Sequence, residues 1–86
     1  MAQINLPTSS SLLEAVVKAV KESGGKATNQ QIHDFVVREL SLTKEQVSVI
    51  HSGNRSELDY RLAWARTNAK RKGLLVVAGN KLWALP

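Results

Sequence analysis

Between Arg61 and Leu75 the chain reads RLAWARTNAKRKGLL, a stretch with five cations, one tryptophan and no acid. Guanidinium and ammonium groups at this density attract anions, and a row of them attracts a polyanion. The wider charge pattern is as lopsided. The net charge of +5 falls entirely within residues 51–86, where seven cations face two acids; the first fifty residues balance. No acid follows Asp59. A solvated surface whose charge has merely drifted basic gives the same tally, so charge alone leaves both readings open.

Other chemistries find little support. His33 and His51 are the only histidines, there is no cysteine, and no carboxylate stands at ligand spacing, so no metal is expected. Ser9-Ser10-Ser11 lies in no nucleophile elbow, and Gly24-Gly25 is too short to cradle a phosphate. The seven acids are scattered, and none has a lysine two residues on, the arrangement a metal-dependent nuclease would need. The chain is expected to bind and not to cut: no catalytic residue, metal or cofactor is assigned. The lack of cysteine fits a reducing compartment. With no secretory-type leader and no apolar run near the ~18 residues a span requires, the expected location is cytoplasmic, with no membrane partner.

The elements that must position the basic stretch follow from periodicity and caps. Eighty-six residues make one domain, 1–86. Ser11 and Glu14 form a capping-box pattern, and Leu12, Leu13, Val16, Val17 and Val20 recur at helical spacing, predicting a first helix over about 11–23 closed by Gly24-Gly25. Lys26-Ala27 reads as an extended link. Thr28 with Gln31 opens a second helix, about 29–40, with Ile32, Phe35, Val36 and Leu40 on one face. Thr43 with Gln46 opens a short turn carrying Val47 and Ile50. His51–Arg55 reads as a polar loop. Ser56 caps the main third helix, in which Leu58, Leu62, Ala65 and Ala69 share one face, and Gly73 ends it. Leu74–Ala78 and Lys81–Leu85 read as strands around a Gly79-Asn80 turn of type II′. The order predicts an α+β, mostly α fold: a winged helix-turn-helix of three main helices and a C-terminal two-stranded hairpin wing. A lone hairpin is unstable in water, so this one must pack through Leu82, Trp83 or Leu85.

On the third helix, the side opposite the apolar stripe carries Tyr60, Ala63, Trp64, Thr67 and Arg71. Its diameter suits the major groove of duplex DNA. Ser52, Asn54, Arg55, Ser56 and Tyr60 are placed for base readout, since Asn suits adenine and Arg suits guanine. Arg61, Arg66, Thr67, Lys70, Arg71, Lys72 and Lys81 are assigned to phosphates. Each has a structural alternative. Lys70, Arg71 and Lys72 complement the dipole of the last turn. Arg61 can hold a carboxylate of helix 2, and Asn54 can simply shape its turn. Trp64 can stack on nucleic acid or pack under another element.

Arg61-Leu62-Ala63-Trp64-Ala65-Arg66-Thr67, running into Lys70-Arg71-Lys72-Gly73-Leu74-Leu75, resembles the N-terminal winged-helix domain of Mrr-type restriction endonucleases. Leu6-Pro7-Thr8, Gly24-Gly25, Leu42 and Ser52-Gly53 extend the resemblance over about residues 6–85. Asn68 and Ala69 stand where the family often has an aromatic and a leucine. Leu82 stands before Trp83 where the family often has glycine, and the wing here is short, with Lys81 as its only charge. The resemblance implies a targeting module for double-stranded DNA, methylated or not, fused in a longer protein to a separate nuclease domain. A protein–protein module that forms a homodimer, or a stand-alone transcription regulator, would use the same fold.

Overall fold

The computed structural model describes residues 6–53 and 55–86, and only the backbone of Ile50, His51, Ser52 and Arg55. The elements run α1 (Ser9–Glu22), β1 (Lys26–Thr28), α2 (Asn29–Glu39), α3 (Lys44–Val47), β2 (Ile50–Ser52), β3 (Arg55–Ser56), α4 (Glu57–Arg71), β4 (Val76–Gly79) and β5 (Leu82–Ala84). The fold is α+β and mostly helical, with α1, α2 and α4 around one core and a small antiparallel sheet completing it.

The helix boundaries are written in short-range chemistry. Thr28 and Thr43 each form a full capping box: the hydroxyl accepts from the backbone N–H of Gln31 or Gln46, and that glutamine's side chain accepts from the threonine N–H. Ser56 caps α4 by accepting from Asp59 N at 3.0 Å. The first cap differs from expectation. Thr8, not Ser11, stands at the N-cap, and its hydroxyl accepts from Ser11 N at 3.2 Å. Thr8 is the first hydroxyl after Pro7 and is already extended, so α1 begins there and the following serines join its first turn.

α1, α2 and α4 end alike, with paired backbone bonds that satisfy the last carbonyls. In α4 these are Leu74 N to Ala69 O at 2.9 Å and Gly73 N to Lys70 O at 3.1 Å, with Gly73 at φ +75°. In α2 the left-handed position is held by Ser41, at φ +50°. A side chain there is strained, and the hydrophobic contact of Leu42 with the core compensates.

Leu58, Leu62, Ala65 and Ala69 are buried as the stripe predicts, against Leu12, Ala15, Val16, Ala19 and Val20 of α1 and Ile32 and Val36 of α2. On α1 the buried face is turned from the expected one: Ala15 and Ala19 are inside, while Leu13 and Val17 are only partly covered. Alanines on α1 and α4 share the buried layer with Leu12, Val16, Val20, Leu58 and Leu62, so the contact mixes small and large side chains.

Three expectations are corrected. Lys26-Ala27 is not a bare link but strand β1, paired with β5 in the register Lys26↔Ala84 and Thr28↔Leu82. The sheet thus has three strands in the order β1-β5-β4, which gives the hairpin the third partner it needs. The wing reverses at Asn80-Lys81 and not at Gly79-Asn80: Gly79 pairs with Leu82, a bulge falls between Val77 and Gly79, and Lys81 takes the positive φ of +55°. β2 and β3, in a stretch read as the end of a helical turn and a loop, pair antiparallel, with Ile50↔Ser56 and Ser52↔Arg55 as partners and Gly53 at φ +54°. The short α3 makes a fourth helix.

Candidate nucleic-acid interface

The wing and the start of α2 are tied together. Asn29 N donates to Lys81 O at 3.0 Å, and the indole Nε1 of Trp83 donates to Asn29 Oδ1 at 2.8 Å. Leu85 N reaches Gly25 O at 3.0 Å. Trp83 itself packs against the core. These bonds seat the exposed Lys81 turn beside the first residues of α2.

Next to that turn is an open cleft of about 280 Å³, lined by Asn29, Gln30 and His33 of α2 and by Asp59 and Arg66 of α4. His33 spans it, with Nδ1 3.4 Å from Asp34 Oδ1 and Nε2 3.7 Å from Asp59 Oδ1. Among the described residues no group of three or more His, Cys, Asp and Glu side chains could hold a metal ion. On the opposite flank of α4, Asn68 and Lys72 meet Ser9, Ser10, Leu13 and Glu14 at the start of α1. The cations of α4 therefore border the helix on two sides: Arg66 toward α2, Lys72 toward α1.

Between the flanks runs a ridge on the side away from the core. Tyr60, Trp64, Thr67 and Arg71 follow at intervals of four, three and four residues, within roughly a quarter-turn of one another at 3.6 residues per turn. Trp64 is 48% exposed, so the packed alternative for it is not what the fold adopts. Thr67 Oγ1 donates to Ala63 O at 3.0 Å, which leaves only its acceptor side for other partners. Arg61 Nε bonds Glu57 Oε1 at 3.0 Å, one turn back on the same helix, not a carboxylate of α2. This pair is solvent-exposed and weak enough to be given up to a stronger anion.

The remaining assigned residues are dispersed. Lys70, Arg71 and Lys72 are exposed in the last turn and C-cap of α4. Tyr60 is half-buried. The Ser56 hydroxyl is engaged as the α4 cap. Asn54, and the side chains of Ser52 and Arg55, lie outside the described residues. Sequence reasoning missed Asn29 and His33. The one available signal was Trp83, since a half-buried indole N–H requires an acceptor and the fold supplies Asn29.

The order of helices and the C-terminal antiparallel sheet are compatible with a winged helix. The family model of the Mrr N-terminal domain matches residues 10–86, nearly the whole chain, and the chain belongs to that family. That family is associated with restriction-system proteins. No curated protein and no solved structure matches it. Among the described residues no helix is long and apolar enough to cross a membrane.

Proposed function

We propose that this domain binds double-stranded DNA, inserting α4 into the major groove, and targets a restriction-system protein whose nuclease is a separate domain. The observation that carries the reading is the layout of α4. Past Asp59 it has no acid, and cations stand on both sides of a ridge that is uncharged from Tyr60 to Thr67 and ends in Arg71. A helix in a groove about 12 Å wide meets a phosphate strand on each wall and base edges on the floor. Cations on both flanks suit the walls; the ridge suits the floor. Arg66, Lys70, Arg71, Lys72 and Lys81 serve the phosphates, with Arg61 and Thr67 as further backbone contacts. Ser52, Asn54, Arg55, Ser56 and Tyr60 serve base readout.

The test is the salt dependence of duplex binding. If about five phosphates are neutralised, log affinity falls against log salt with a slope of about −4.5. A slope near zero removes the electrostatic account. A second reading, a homodimer, is favoured by the β4 edge, where Val76 and Val77 are 41% and 53% exposed. Sedimentation decides it: a salt-insensitive dimer without DNA affinity replaces the first reading.

A further inference from the structure

We infer that Trp64 is a specificity-determining residue of the α4 ridge, and that its indole lies against the C5-methyl group of a pyrimidine on the floor of the major groove. This rests on the reading of α4 as the DNA-facing helix.

The chain has four aromatic side chains: Phe35, Tyr60, Trp64 and Trp83. Phe35 and Trp83 pack against the core, and Tyr60 is half-buried. Trp64 alone is exposed. Tryptophan is highly buried on average, so leaving half of one in water, at the middle of a basic helix, forgoes a large apolar gain. Binding a partner there recovers it. The neighbours one turn away on either side are Tyr60, Arg61, Thr67 and Asn68, none of them acidic. The surface is therefore a flat apolar plate framed by hydrogen-bonding groups.

The chemistry of the groove then identifies the partner. Phosphates line its walls and give an indole nothing apolar to cover. Base faces are stacked inside the duplex and are out of reach. Each base edge on the floor presents donors and acceptors, and the one apolar group among them is the methyl at pyrimidine C5. Thymine carries it in ordinary DNA, and 5-methylcytosine carries the same group. An indole delivered to the floor by flank cations has this methyl as its apolar partner.

The test uses three duplexes of one sequence: the thymine duplex, the same with uracil for every thymine, and the uracil duplex with 5-methylcytosine for every cytosine. Wild type should bind the thymine duplex about fourfold more tightly than the uracil duplex for each methyl contacted, the transfer of one methyl out of water. Trp64→Ala should bind thymine and uracil duplexes equally. Trp64→Gln, which keeps a good helix former without the flat ring, should do the same. Lys70→Glu should weaken both duplexes and keep the wild-type ratio. A gain of affinity with 5-methylcytosine extends the contact to methyls at cytosine positions; no gain leaves the contact at the thymine positions. Equal binding of all three duplexes by the wild type overturns the inference, as does unchanged discrimination in the Trp64 variants. If no duplex binds at low salt, the DNA reading itself has failed, which is a different result from binding without discrimination.

Discussion

Replacing Trp83 by Phe tests whether the wing is held to the helices by one hydrogen bond or only by packing. The indole N–H donates to Asn29 Oδ1 at 2.8 Å in a half-buried setting. A neutral bond of this kind is worth about 1 kcal/mol net, with a range of roughly 0.5–1.5. Phe keeps an aromatic ring on the core but is smaller, so the single change also loses packing. Asn29→Ala loses the acceptor but improves helix propensity at the start of α2. Neither single value isolates the bond, but the double-mutant cycle does. The expected coupling is about 1 kcal/mol, and in a domain of this size 1 kcal/mol moves Tm by about 4–8 °C. Thermal melts of the four proteins, followed by circular dichroism, supply the cycle. Amide exchange adds an independent check: the Asn29 N–H, bonded to Lys81 O, should exchange faster in Trp83→Phe. Additive effects, with a coupling under about 0.3 kcal/mol, would refute the claim that this bond seats the wing.

Other outcomes follow from single contacts. Leu62→Ala removes a fully buried side chain from the centre of α4 and should cost about 3 kcal/mol in urea unfolding. Ser41→Gly relieves a left-handed residue at the end of α2 and should raise stability by about 1 kcal/mol. Thr28→Ala breaks the α2 capping box and should lower it by about 1 kcal/mol. Lys18, hydrogen-bonded to Glu39, has its pKa raised above 10.5 by that bond and by the carboxylate's charge. A raised folded pKa means the stabilisation is complete below 10.5 and lost as pH climbs through the folded value. Wild type and Lys18→Met should thus differ in Tm at neutral pH and converge at strongly alkaline pH.

The core stripe of α4 and the caps at Thr28, Thr43 and Ser56 were legible because they depend on neighbours within one turn. The rotation of α1 was not. Leucine and valine at Leu13 and Val17 look more buriable than Ala15 and Ala19, and only the packing of α4 on α1 decides which face is covered. β1 escaped for the same reason: Lys26–Thr28 has no strand pattern of its own, and its partner is at the far end of the chain. For the interface, sequence identified the basic residues and the outward side of α4. Spacing also separates Arg66 from Lys72 across the stripe; it could not show that α2 stands beside the first and α1 beside the second.

The pairing of Lys26 with Ala84 has a consequence for biosynthesis. Helices assemble from contacts made soon after each turn is translated, but this ladder must wait until residues 82–84 have been made. During elongation on the ribosome β1 remains an open template, its amides hydrated, while the nascent chain behind it collapses. The sheet is then a late seal, and a ribosome stalled before residue 82 would leave the helices without it.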